Sequence, residues 1–94
     1  MAELRIKGMI TSKFIGESKF DGKTKVDKDG VPVISRTVQV LDLESEQTDI
    51  YKVKFSADQE ELVEKNLRNN CDIVAIVGTF NKYTFYNLQS LKAI

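Results

Sequence analysis

Ser56-Ala57-Asp58-Gln59-Glu60-Glu61-Leu62-Val63-Glu64-Lys65-Asn66-Leu67-Arg68-Asn69 is the one stretch of this 94-residue chain that reads as a helix. Its place among strands decides the fold. Ser56 followed by Gln59 fits a capping box, in which each side chain satisfies a free amide at the helix start. Asp58, Glu60 and Glu61 fall in the first turn, where the helix dipole favours negative charge, and Lys65 and Arg68 fall in the last. Leu62, Val63 and Leu67 make a narrow apolar stripe, and Asn69-Asn70 is a plausible stop. The pattern predicts a helix over 57–69.

Upstream, the periodicity changes to two. In Ile50 to Phe55, Tyr51, Val53 and Phe55 share one face and Lys52 and Lys54 the other. Val33 to Leu43 is also β-like, through Val33, Ile34, Thr37, Val38 and Val40. Residues 4–14 set Leu4, Ile6, Ile10 and Phe14 on one face, with Gly8 in the same parity as a bulge or tight bend. Between these strands, 16–32 breaks every period with Gly16, Gly22, Gly30 and Pro32, and predicts a long polar loop or hairpin tip. Asp27-Lys28-Asp29-Gly30 has turn chemistry, and it lacks the terminal glutamate of a calcium loop.

Downstream, Asp72 to Gly78 is a near-continuous apolar run suited to a strand covered on both faces. Phe80-Asn81-Lys82 is a short turn, and Tyr83 to Leu91 is the last strand. Alternation puts Tyr83, Phe85, Asn87, Gln89 and Leu91 on one side, and Thr84, Tyr86, Leu88, Ser90 and Lys92 on the other. The order β-β-β-α-β-β, mainly β with one helix, matches a five-stranded OB-fold barrel, with an SH3-like barrel or small α+β roll as the alternative. No repeat, low-complexity run or linker divides residues 1–94, so a single domain is expected.

Composition narrows the chemistry. There is no His and one Cys, so a zinc or haem site lacks its usual ligands and general acid–base catalysis lacks its commonest group. Cys71 enters an apolar strand and reads as a buried structural thiol. The carboxylates show no paired-acid spacing and the glycines are too far apart for one phosphate nest, so no enzyme activity and no cofactor are expected. A lone Cys points to a reducing compartment. No apolar run approaches the length of a membrane span, and Met1 to Leu4 does not open a signal peptide, so a cytoplasmic protein without membrane contact is expected.

Net charge is zero, from 14 Lys+Arg and 14 Asp+Glu, yet it is unevenly distributed. Residues 1–41 carry eight basic and five acidic side chains, 42–64 carry two and eight, and 65–94 carry four and one. Much of the acid is helix-start chemistry. An OB barrel binds single strands with the face of strands two and three and with the first–second and fourth–fifth loops. The chemistry needed is cations for phosphates and flat rings for bases. The first–second loop carries Lys19, Lys23, Lys25 and Lys28, with Phe20 among them. Arg36, Lys52 and Lys54 are on strands two and three, and the last turn offers Phe80 and Lys82, then Tyr83, Phe85 and Tyr86. Of the adjacent Phe85 and Tyr86, one is expected in the core and the other exposed, whereas Phe14 and Phe55 are expected in the core.

The element order, the small size and the ending Val77-Gly78-Thr79-Phe80 … Tyr83-Thr84-Phe85-Tyr86-Asn87-Leu88 resemble the small OB-fold single-stranded-DNA-binding proteins of phages and mobile elements. The resemblance covers nearly the whole chain as architecture, without a diagnostic motif. It implies coating of single-stranded DNA in replication, recombination or transfer, often as a homodimer, in a bacterial or phage-infected cell. Bacterial housekeeping single-strand binding proteins carry an acidic C-terminal tail that recruits partners. This sequence ends Leu91-Lys92-Ala93-Ile94, so recruitment is expected to use the barrel itself. The alternatives are a protein-interaction barrel and single-stranded RNA binding by the same surface.

Overall fold

The computed structural model describes residues 2–20 and 22–94, the side chain of Phe20 excepted. Five strands close the barrel: β1 (Ala2–Glu17), β4 (Ile34–Asp42), β5 (Ile50–Lys54), β6 (Asn70–Phe80) and β7 (Tyr83–Ala93). Around the barrel they run β1-β4-β5-β7-β6, all antiparallel except β5 beside β7. A 3-10 turn (Ala57–Gln59) and α1 (Glu60–Lys65) join the third barrel strand to the fourth. This is the OB-fold barrel, in the element order expected from the sequence.

β1 serves both halves of the barrel. Ala2–Met9 pair with β6 and Gly8–Glu17 pair with β4, so the strand changes partners around Gly8. A Cβ on Gly8 would lie 2.6 Å from Val40 Cγ1 and 2.7 Å from the Leu41 carbonyl oxygen. Glycine is required there by close approach to β4. The bulge itself is at Thr11, where Ile10 pairs with Val40 but Ser12 already pairs with Gln39. A one-residue insertion reverses every side chain beyond it. Phe14, expected in the core, is therefore turned out beside Thr37 and is 57% exposed.

Beyond the barrel, β1 and β4 continue into an arm tipped by a small hairpin of β2 (Lys19–Phe20) and β3 (Lys23–Thr24). Main-chain bonds from Ser18 N to Val33 O (2.7 Å) and from Val33 N to Lys25 O (2.9 Å) tie it down. The Asp27 carboxylate accepts from Asp29 N and Val31 N at 2.8 and 3.0 Å, with Gly30 at φ +79°, which is the turn chemistry anticipated there. Residue 21 of the expected loop lies outside the described residues.

The core contains Ile6, Ile10, Val38, Val40, Val53 and Ile73, with Phe55, Cys71, Ala75, Leu88 and Leu91. Val63 of α1 is fully buried against it and closes one end of the barrel. Gln59 accepts from Ser56 N at 2.9 Å and donates to Leu88 O at 2.9 Å, so the cap residue also fastens the helix to β7. The regular helix is shorter than 57–69. It ends at Lys65, where the Asn66 side-chain amide donates to Leu62 O at 2.8 Å, its backbone N–H turns to Val63 O, and the Arg68 N–H leaves the helix to bond Ile10 O at 2.7 Å. Leu62, placed in the apolar stripe, is partly exposed, while Leu67 packs on the core.

β6 is covered on one face only. Ile73 and Ala75 point inward, whereas Val74 and Ile76 stay half-buried on the outside, contrary to the expected double coverage. In β7 a second irregularity leaves Gln89 without a partner between Leu88 and Ser90, so Leu88 and Leu91 both face the core. Cys71 is fully buried, and burial, then the Asp72 charge, pushes its thiol pKa up. No helix among the described residues is long and apolar enough to cross a membrane.

Candidate nucleic-acid interface

Directly opposed residues on neighbouring strands share a face, and this places the candidate side chains. Phe14 opposes Thr37, Thr37 opposes Lys54, and Gln39 opposes Lys52. Lys54 is in turn level with Asn87 of β7, which shares its parity with Phe85 and Tyr83. One outer face therefore runs across β1, β4, β5 and β7. It forms two adjoining depressions. One is lined by Thr37, Lys52, Lys54, Tyr83, Thr84 and Phe85. The other shares Thr37 and Lys52 and extends to Gln39, Phe14, Ser12 and Lys13.

The rings on this face are prepared differently. The Lys54 ammonium is 5.5 Å from the centre of the Phe85 ring. That ring also lies against Gly78, where a Cβ would come within 3.0 Å of it. Phe85 is thus half-buried, with Gly78 against one part of its ring and the Lys54 ammonium near it. Tyr83 and Phe80 oppose each other across the two-residue Asn81-Lys82 turn and are 72% and 67% exposed. Asn81 takes φ +56°, as a tight hairpin requires. Lys82 is exposed at the tip.

Tyr86, Arg36 and the arm lysines are placed elsewhere. Tyr86 turns into the barrel and packs edge-to-face on Tyr51, ring centres 5.4 Å apart and planes at 85°. Its neighbour Phe85 takes the outer side, as the alternation of adjacent strand residues requires. Arg36 has the parity of Val38 and Val40, so its side chain lies over the barrel end against the helix. Its Nε is 3.4 Å from Glu60 Oε1, in ion-pair range without hydrogen-bond geometry. Lys13, opposite Val38, likewise pairs with Glu64 one helical turn on. Lys19, Lys23 and Lys25 are exposed on the arm, with Lys28 at its turn, apart from the sheet face. The Phe20 ring lies outside the described side chains.

The charge divides accordingly. The two lysines of the acidic segment, Lys52 and Lys54, both reach the outer face, and the residues lining its two depressions include no carboxylate. The acid of residues 42–64 lies instead on the helical segment and at the β4–β5 end, where burial, then Asp49 and Asp42, raises the Tyr51 pKa. Sequence reasoning missed Phe14, Thr37 and Gln39, and of the adjacent Phe85 and Tyr86 it left open which is exposed. The Thr11 bulge hid Phe14, whereas Thr37 and Gln39 were legible as polar residues alternating with Val38 and Val40. No protein-family model, curated protein or solved structure matches the chain. The functional reading therefore rests on the geometry of this face.

Proposed function

We propose that the protein binds single-stranded DNA, largely without regard to sequence, on the outer face of β1, β4, β5 and β7. The observation that carries the reading is the Lys52–Lys54 pair flanked by rings on both sides, Phe14 on β1 and Phe85 and Tyr83 on β7. Rings stack on any base, at about 1–3 kcal/mol per base, and lysines neutralise phosphates irrespective of sequence. Thr37 and Gln39 give the floor between them polar groups for the sugar–phosphate backbone. The arm lysines and Lys82 extend the cationic surface at either side. Such a protein would coat exposed single strands in replication, recombination or transfer and would need no cofactor.

The test is fluorescence anisotropy of labelled oligo-dT at two salt concentrations, with duplex DNA and single-stranded RNA in parallel. Saturable, salt-sensitive binding that prefers the single strand is expected. Equal or tighter binding to RNA would reassign the ligand. No saturable binding at low salt would remove the reading in favour of a protein-interaction barrel. That second reading is favoured by Val26, Val31 and Ile34, apolar and 52%, 55% and 43% exposed on the arm. These are also the side chains that a second copy would cover in the dimer we propose, for which sedimentation velocity is the measurement.

A further inference from the structure

The outer-face track does not stop at β1. Beyond Met9 that strand leaves β6, and the end of α1 lies along its open edge through the Arg68 N–H to Ile10 O bond. There a third depression, lined by Thr11, Ser12, Lys13, Glu64, Leu67 and Arg68, shares Ser12 and Lys13 with the outer face. Each of the three depressions shares lining residues with the next, in a row from Tyr83 to Arg68.

Arg68 is an unusual residue for its position. Its φ is +65°, in the left-handed region where glycine or asparagine ordinarily ends a helix. What the fold uses is its backbone N–H, and any non-proline residue supplies that. The neighbouring cations are occupied: Arg36 by Glu60, Lys13 by Glu64, Lys65 by Glu61. Among the described residues no carboxylate lies within ion-pair distance of Arg68, and its side chain is exposed. Glu64 is in the same depression, but its charge is balanced by Lys13, which leaves Arg68 as the net charge of the pocket. A strained backbone carrying a long unpaired cation points to a use for the side chain.

We infer that Arg68 is a further phosphate-binding residue, and that a bound single strand runs past the outer face, over the β1 bulge, to the end of α1. The inference rests on the single-strand reading above. A guanidinium suits this place because its fork can grip two oxygens of one phosphate. The hydroxyls of Thr11 and Ser12 line the path between Lys13 and Arg68.

The test compares wild type with Arg68→Gly, Arg68→Asn and Arg68→Lys by oligo-dT anisotropy across a salt series and by thermal unfolding. Gly and Asn both accept the left-handed backbone, so each removes the charge without adding strain, and Asn serves if the Gly variant does not fold. Both are expected to melt at or above the wild-type temperature. Both should lower the magnitude of the log-affinity against log-salt slope by about 0.7, the contribution of one single-strand phosphate. Arg68→Lys is expected to keep the slope. If wild type binds and the neutral variants keep its slope, or if they melt well below it, this inference falls and the outer-face reading stands. If wild type shows no saturable binding, both fall.

Discussion

Replacing Gly8 by alanine tests the packing that closes the barrel. The added methyl would sit 2.6 Å from Val40 Cγ1 and 2.7 Å from the Leu41 carbonyl oxygen. Val40 is fully buried, so its side chain has little room to turn aside, and the Leu41 oxygen belongs to the backbone. Relief therefore demands that β1 and β4 separate just where β1 changes partners. Overpacking of this kind costs about 1–3 kcal/mol, and a carbonyl in the way places Gly8 in the upper half. Alanine narrows the unfolded ensemble and returns about 0.4–1 kcal/mol. The net loss is about 2 kcal/mol, which in a domain of this size lowers Tm by about 8–16 °C. It also moves the urea midpoint by about 1 M. Gly16→Ala is the control: its new methyl meets only the exposed Phe14 ring, which can swing away, so a change within about 0.5 kcal/mol is expected. Both variants are read by circular dichroism in urea. A Gly8→Ala midpoint equal to that of wild type would refute the close approach as the reason for glycine.

Phe14→Ala removes an exposed ring and should change stability by no more than about 0.5 kcal/mol. It should weaken oligo-dT binding by about 1–3 kcal/mol if the ring stacks on a base; unaltered affinity would take Phe14 off the interface. Glu64→Gln frees Lys13, which already borders the outer-face track, and should steepen the salt slope by up to about 0.7 with little change in Tm. A slope that becomes shallower would contradict that placement. Cys71 is fully buried, so native protein should react with a thiol reagent only at the rate of opening, and immediate full reaction would contradict the burial. Because burial raises its pKa, the unfolded chain releases the thiol proton first as pH rises. Stability should therefore begin to fall above the ordinary thiol value of 9.0, and Cys71→Ala should reduce that fall in urea titrations at pH about 8 and about 10.

What the sequence made legible follows from which signals are local. Capping at Ser56 and Gln59, the turn at Asp27–Gly30 and the alternation of Tyr51, Val53 and Phe55 are all read from neighbours within a few residues. They located the helix, the arm turn and the third barrel strand. The errors of strand parity share one cause. A single unpaired residue, Thr11 in β1 or Gln89 in β7, shifts the strand by one, and period two has no memory across it. Phe14 was thereby assigned to the core and Leu91 to the side of Tyr83. The helix end was misplaced for a different reason: Arg68 gives its N–H to Ile10, a residue 58 positions away, and no local pattern announces that bond. Of the candidate cations, Lys52 and Lys54 kept their place because their strand is regular. Arg36 did not, since its parity is that of Val38 and its partner, Glu60, is on the helix.

The most direct measurement of the interface is the salt dependence of oligo-dT binding for wild type and for Lys52→Ala/Lys54→Ala. Both side chains are exposed and neither is in an ion pair among the described residues, so the double variant should fold with a Tm close to wild type. Two lost phosphate contacts should reduce the slope of log affinity against log salt by about 1.4, with weaker binding at every salt concentration. A folded double variant with the wild-type slope and affinity would contradict the assignment of this face to the single strand.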